Sequence, residues 1–162
     1  QVESSEAGTT FEVRLPLIAS GPTSTEKSAG NVHTRVLLIE DNEDARATLK
    51  TLLELESFHV LEACDGPTGL SLILEEKPDL ALVDIGLPGL DGYSIARSVR
   101  ATAPEIQTRL IALTGYGMPQ DIEKGIQAGF VAHLIKPVSF ESLQELFSQL
   151  IEIPVKCQVG AE

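Results

Sequence analysis

Five short apolar runs follow one another along the chain from residue 35 onward, separated by segments long enough to form helices. They are RVLLIE (35–40), HVLEA (59–63), DLALVD (79–84), TRLIALT (108–114) and FVAHLI (130–135). Runs that are apolar at successive positions are typical of strands in a parallel sheet that is covered on both faces. The pattern therefore predicts five buried strands.

Between and after these runs, apolar residues recur with the spacing of amphipathic helices. One set comprises Ala45, Leu49, Leu52 and Leu53, and the other comprises Leu143, Leu146, Phe147, Leu150 and Ile151. This spacing places the members of each set on one face of a helix. Ser139 is predicted to be the N-cap of the last helix, with Glu141 in its first turn. Five strands alternating with five helices predict an α/β fold with an open, doubly wound, five-stranded parallel sheet.

The beginning of the chain has a different composition from the rest. Residues 19–33 are rich in Ser, Thr, Gly and Ala and lack apolar periodicity, which is typical of a flexible linker. Residues 10–17 alternate apolar and polar positions like a half-buried strand. We therefore expect the α/β domain to span residues 34–155, followed by a tail at residues 156–162.

The composition limits the possible classes of function. The formal net charge is -12 and the 12 Lys and Arg residues form no run, so nucleic acid binding is not expected. No stretch of about 18 consecutive apolar residues and no signal peptide is present, so we expect no direct membrane contact. Cys64 and Cys157 lie in no metal-binding or disulfide pattern, which favours reduced thiols and a cytoplasmic location.

Polar residues stand where the predicted strands end. The first run ends in Glu40-Asp41, the third in Asp84 and the fourth in Thr114, while Lys136 follows the fifth. Ligands bind outside the carboxyl ends of strands in such folds, so we expect these side chains to converge on one edge of the sheet. Clustered carboxylates repel one another unless a hard cation such as Mg²⁺ binds between them. Lys136 and Thr114 could then contact the oxygens of a transferring phosphoryl group.

These motifs resemble the receiver domain of the two-component response-regulator family. The resemblance covers residues 34–155 and rests on four elements in the right order and spacing. The elements are the acidic pair Glu40-Asp41, Asp84 followed by Pro88 and Asp91-Gly92, Thr114 after an apolar strand, and Lys136-Pro137. The resemblance implies the flavodoxin-like receiver fold.

The resemblance also implies a role for each residue. Asp84 would accept a phosphoryl group from a phosphohistidine of a histidine kinase dimerisation domain or of a histidine phosphotransfer protein. Mg²⁺ or Mn²⁺ would be bound by Glu40, Asp41 and Asp84 together with the backbone carbonyl of Gly86. Thr114 and Lys136 would bind the aspartyl phosphate.

Two positions depart from the commonest pattern of the family. The residue three positions before Lys136 is often an aromatic switch residue coupled to the threonine, and here it is His133. The residue after the threonine is often alanine, and here it is Gly115. A less shielded acyl phosphate, and hence faster hydrolysis, is the hypothesis that follows from this glycine.

The first 18 residues carry a second resemblance. Gly8 to Phe11, followed by alternating Val13, Leu15 and Leu17, resembles the final strand of a histidine-kinase ATP-binding domain. The chain also begins with Gln1 rather than with methionine. These features imply the C-terminal receiver of a hybrid sensor histidine kinase, with residues 1–18 as a remnant of the kinase domain and no kinase active site in the chain itself.

Several alternatives remain open at this stage. A free-standing receiver that shuttles or buffers phosphoryl groups is the main one. A dehalogenase-type phosphatase would need a second acid where Gly86 stands, and a receiver-like domain without phosphorylation would not need the complete acidic, Thr and Lys set. Asp84 alone could be a turn residue, and Asp44 could serve as an N-cap. His133 is interpreted as a strand residue near the sheet edge rather than as a phosphorylated residue or metal ligand.

Overall fold

The computed structural model describes residues 34–115 and 117–151, where five strands alternate with five helices. The strands are β1 (Arg35–Ile39), β2 (His59–Ala63), β3 (Leu80–Asp84), β4 (Arg109–Thr114) and β5 (Phe130–Ile135). The helices are α1 (Glu43–Leu55), α2 (Gly66–Glu76), α3 (Gly92–Thr102), α4 (Pro119–Ala128) and α5 (Phe140–Ile151). The predicted linker, kinase remnant and tail lie outside the described residues.

The five strands form one parallel sheet in the order β2-β1-β3-β4-β5. The prediction of a doubly wound parallel sheet is therefore confirmed. The order reverses between β1 and β3, and ligands bind at such a reversal in open α/β sheets. Because β1, β3, β4 and β5 are consecutive neighbours, their carboxyl ends meet at one edge, as the sequence predicted.

Both faces of the sheet are buried, which explains the continuous apolar runs. Neighbouring residues of β3 divide between two cores: Leu82 belongs to one and Val83 to the other. Besides strand residues, the first core includes Leu49 and Leu53 of α1 and four apolar residues of α5, and the second includes residues of α2, α3 and α4. In the described ranges, no helix is both long and apolar enough to cross a bilayer.

Short polar side chains cap the starts of α1, α2, α3 and α5. The side chain of Asn42 accepts a hydrogen bond from the backbone N–H of Ala45 and caps α1. The interpretation of Asp44 as this cap is wrong, because the helix begins one residue before Asp44. Ser139 does cap α5, since its hydroxyl accepts from the backbone N–H of Ser142.

Candidate functional site

Asp84 ends β3, the central strand of the sheet, and its side chain is almost fully buried. Only 6% of the residue is exposed. Its Oδ1 accepts a hydrogen bond of 2.9 Å from the backbone N–H of Gly86 in the following loop. α3 begins directly against this turn: a side chain on Gly92 would place its Cβ 2.7 Å from the carbonyl oxygen of Asp84. The loop therefore holds the Asp84 carboxylate in one orientation at the sheet edge.

The acidic pair Glu40-Asp41 directly follows the neighbouring strand β1. Glu40 is 1% exposed, and its Oε1 accepts from the backbone N–H of Asn42 at 3.1 Å. The backbone N–H of Glu40 donates to the carbonyl of Ala63 at the end of β2. Asp41 is exposed to solvent. One carboxylate oxygen from each of Glu40, Asp41 and Asp84 lies within 4.8 Å of the others, so the predicted cluster forms.

Lys136, directly after β5, binds two of these carboxylates at once. Its Nζ lies 2.6 Å from Oε2 of Glu40 and 3.0 Å from Oδ2 of Asp84. The Lys136 side chain remains 29% exposed, whereas the side chains of Glu40 and Asp84 are 1% and 9% exposed. The peptide bond between Lys136 and Pro137 is cis. The sequence prediction that this lysine meets the strand-end acids is consistent with these distances.

The contacts shift the pKa values of two groups in the site. Burial raises the pKa of Glu40 above its usual value, and the nearby Asp84 charge adds to this, while the hydrogen bonds from Lys136 and Asn42 oppose it. Burial alone would lower the pKa of Lys136, but its hydrogen bonds to Glu40 and Asp84 outweigh that effect and raise it. The lysine is therefore held in its charged form, and the site favours an additional positive charge.

Thr114 ends β4 beside the acidic cluster. The residue is 6% exposed, and its carbonyl oxygen accepts from the backbone N–H of Lys136 at 2.8 Å. Since Leu113 is in register with Asp84, Thr114 extends one residue further toward the carboxyl edge. Thr114 thus lies on the strand between the two that end at Asp84 and Lys136.

His133 lies on β5, at the edge of the sheet, and its side chain packs against α4. The residue is 4% exposed and is in register with Ala112, two residues before the end of β4. A Cβ added to Gly125 would lie 2.2 Å from the ring Nε2, and the ring of Phe130 lies 6.4 Å from that of His133 between centroids. The interpretation of His133 as a strand residue near the sheet edge agrees with its place on β5.

Three residues near the cluster were not identified from the sequence. Asn42 binds both the Glu40 carboxylate and the start of α1. The Arg46 guanidinium donates to the Glu40 carbonyl and lies beside Glu62 of β2. Asn42 could have been found as a favourable N-cap residue type before an amphipathic run. The partnership of Arg46 and Glu62 required knowledge that β2 lies next to β1.

The fold and the site together define a class of protein: a parallel α/β domain with an acidic, lysine-bridged site at the switch point of its sheet. Residues 36–148 match the model of the response regulator receiver domain family. The chain therefore belongs to the response regulator receiver domain family. This family assignment confirms the resemblance inferred from the sequence motifs.

Relatives of known identity agree with the assignment. The chain is 36% identical over 103 residues to the transcriptional regulatory protein AfsQ1 of Streptomyces coelicolor, and it is 25% identical over 122 residues to sporulation initiation phosphotransferase F of Bacillus subtilis. These matches cover 64% and 75% of the chain, respectively. They cover 44% of AfsQ1 but 97% of phosphotransferase F, so the chain spans less than half of the first relative and nearly all of the second.

Solved structures show the same fold. The receiver domain of sensor histidine kinase PA1611 from Pseudomonas aeruginosa PAO1 has a TM-score of 0.68 and 31% identity, over 74% of this chain and 98% of that one. That structure has a magnesium ion coordinated in its active site cleft. A CheY-like receiver domain protein from Methanospirillum hungatei JF-1 has a TM-score of 0.67 and 28% identity, over 74% and 94% of the two chains.

Proposed function

We propose that Asp84 accepts a phosphoryl group from a phosphohistidine in a two-component phosphorelay. The observation that supports this most directly is the position of Lys136, whose ammonium lies within 3.0 Å of both Glu40 and Asp84 beside the exposed Asp41. Asp84 would attack the phosphorus in line, and the leaving imidazole nitrogen of the donor would take the electron pair of the broken P–N bond. Lys136 would offset negative charge on the phosphoryl oxygens.

Mg²⁺, or Mn²⁺ in its place, fits the residues of this site. Three carboxylates and one ammonium leave a net charge of -2, which a divalent cation balances. Carboxylate and carbonyl oxygens are the ligands that Mg²⁺ prefers. We propose that Glu40, Asp41 and Asp84 hold the ion together with the backbone carbonyl of Gly86. The bound ion would supply charge stabilisation for the transferring phosphoryl group.

Thr114 and His133 are proposed to relay phosphorylation to the surface formed by α4 and β5. The buried Thr114 hydroxyl would turn toward the new phosphate oxygens, since these are strong hydrogen-bond acceptors. His133 on the next strand packs against Gly125 of α4, so a change in its ring position would move that helix. Such a response is a two-state change that follows from a local change in charge.

The donor would be the phosphohistidine of a histidine kinase dimerisation domain or of a histidine phosphotransfer protein. We propose that the chain is the C-terminal receiver of a hybrid sensor histidine kinase that acts in the cytoplasm. The structural likeness to the receiver of sensor histidine kinase PA1611 supports this context. The alternative is a free-standing receiver that shuttles or buffers phosphoryl groups, which the 97% coverage of phosphotransferase F favours.

A small phosphodonor tests the proposed function. The chain is incubated with acetyl phosphate and Mg²⁺, and intact-mass spectrometry should show a gain of one phosphoryl group in the wild type. Asp84→Asn should abolish the gain, and so should removal of the metal by a chelator. Asp44→Asn is the matched control, because this exposed carboxylate on the first turn of α1 lies outside the cluster. A phosphoryl gain that persists in Asp84→Asn would show that the acceptor is another residue.

A further inference from the structure

Arg46, on the first turn of α1, contacts the backbone between Glu40 and Asp41, the two acidic residues that follow β1. Its Nη1 donates a hydrogen bond of 2.9 Å to the carbonyl oxygen of Glu40. That carbonyl belongs to the peptide plane that joins Glu40 to Asp41. Since a peptide unit is rigid and planar, a bond to this oxygen fixes the direction in which the chain enters Asp41. Arg46 is therefore hydrogen-bonded to the peptide unit that joins two proposed metal ligands.

The guanidinium of Arg46 is itself held from the other side. Its Nε lies 3.6 Å from Oε1 of Glu62, which projects from β2, and the Arg46 side chain is only 19% exposed. Lys50, one turn further along α1, binds the other oxygen of Glu62 at 2.6 Å. The planar guanidinium presents several N–H donors in a fixed arrangement, so it can contact a carboxylate and a carbonyl at once. Glu62 thus orients Arg46 toward the Glu40 carbonyl.

The backbone N–H, the carboxylate and the backbone carbonyl of Glu40 each make a hydrogen bond. Its N–H donates to Ala63, its carboxylate accepts from the Asn42 N–H, and its carbonyl accepts from Arg46. Of these three contacts, only the one from Arg46 is made by a side chain that a point substitution can remove without changing the ligand itself. We propose that Arg46 is a positioning residue for the metal site: it orients the Glu40–Asp41 peptide so that both carboxylates face the same ion. The proposal rests on the proposed Mg²⁺ site.

The sign of the expected effect separates positioning from simple electrostatics. Removing a positive charge near a cation site should strengthen cation binding, because a repulsion is lost. Removing an orienting contact should weaken binding, and groups that orient metal ligands typically contribute about 10- to 100-fold in affinity. Arg46→Met is therefore expected to raise the Mg²⁺ dissociation constant about 10-fold or more.

Lys50→Met is the matched control for this experiment. It also removes one positive charge and one ion pair with Glu62, but the Lys50 ammonium binds the Glu62 carboxylate on the helix surface rather than the Glu40 carbonyl. Mg²⁺ binding is measured by isothermal titration calorimetry, and the Mg²⁺ dependence of phosphorylation by acetyl phosphate is measured in parallel. We expect a higher half-saturating Mg²⁺ concentration with a nearly unchanged maximal rate for Arg46→Met, and wild-type behaviour for Lys50→Met.

The outcomes distinguish the two proposals. If the wild type itself binds no Mg²⁺, the proposed function fails; if the wild type binds and Arg46→Met binds equally well or more tightly, only the positioning role fails. Equal weakening in Arg46→Met and Lys50→Met would also overturn it, because the shared Glu62 pair would then be responsible. Arg46→Lys covers the case in which Arg46→Met does not fold, since it keeps the charge and loses the guanidinium. It should still weaken Mg²⁺ binding, and wild-type affinity in this variant would overturn the proposal.

Discussion

Replacing Lys136 with methionine should destabilise the domain, and the size of the loss follows from the burial of its partners. The Lys136 Nζ lies 2.6 Å from Oε2 of Glu40 and 3.0 Å from Oδ2 of Asp84. Glu40 is 1% exposed and Asp84 is 6% exposed. Breaking a buried ion pair by removing one partner costs about 3–5 kcal/mol, because the other charge is left uncompensated. Since the Lys136 side chain is 29% exposed, solvent screens part of the interaction. We expect a decrease of about 2–3 kcal/mol in the free energy of unfolding near neutral pH.

The loss should depend on pH in a defined direction. The pKa of Glu40 is already raised by burial, and removal of the lysine would raise it further. The variant can then relieve its unpaired charge by protonating Glu40, so the deficit should shrink as the pH falls. In the wild type, the raised pKa of Lys136 means that its contribution is complete below the pKa of an unfolded lysine. That contribution is lost only as the pH rises through the pKa that Lys136 has in the folded domain.

Urea unfolding followed by circular dichroism measures the effect, with and without Mg²⁺. Lys50→Met is the control, since its pair with Glu62 has the same 2.6 Å distance but an acid that is 32% exposed. It should change the free energy of unfolding much less than Lys136→Met does. Mg²⁺ at about 100 times its dissociation constant should raise the free energy of unfolding of Lys136→Met by roughly 2.7 kcal/mol. Equal losses for the two lysine variants near neutral pH would refute the reasoning from burial.

Three further predictions follow from the geometry of the site and of β5. Gly125→Ala should lower the free energy of unfolding by about 1–3 kcal/mol, because the added methyl group would lie 2.2 Å from Nε2 of His133. Gly115→Ala, which has open space around the added group, should show no such loss in the same urea titration. Gly115→Ala should instead lengthen the lifetime of the aspartyl phosphate, and an unchanged rate of phosphate release would contradict this. Mg²⁺ affinity measured by calorimetry should fall as the pH is lowered, and the fall should begin at a higher pH than for a glutamate with an ordinary pKa, because burial raises the pKa of Glu40 and protons then compete with the ion. A constant affinity would argue against Glu40 as a ligand.

The positions of the five strands could be predicted from the sequence because both cores impose the same simple pattern. Residues of β3 are buried on both faces, so the run from Leu80 to Val83 is continuously apolar and ends at a charge. The convergence of Asp84 and Lys136 could be predicted because charged residues stand at the ends of apolar runs, and because parallel strands share one carboxyl edge. These features depend on local pattern and on topology rules, and such information is present in a single sequence.

Features that depend on the precise helix start or on the lateral strand order could not be predicted in the same way. Asp44 and Asn42 are both good N-cap types, and only the geometry of the loop decides that Asn42 caps α1. The contact between Arg46 and Glu62 exists because β2 lies beside β1, and the sequence predicted no such neighbour for β2. The packing of His133 on Gly125 likewise depends on how α4 lies over β5.

The charge balance of the site bears on the proposed phosphorylation of Asp84. Three carboxylates share the edge with one ammonium that contacts two of them, so the unphosphorylated domain retains unbalanced negative charge in a largely buried place. The proposed phosphorylation of Asp84 would replace one carboxylate by a group with more charge and more acceptor oxygens. The Lys136 ammonium has three N–H donors, two of which are directed at Glu40 and Asp84, and a phosphoryl group on Asp84 would offer it more acceptor oxygens than it has donors. The phosphate oxygens would then compete with Glu40 for the lysine, and this competition would give the domain a physical reason to change conformation if Asp84 is phosphorylated as proposed.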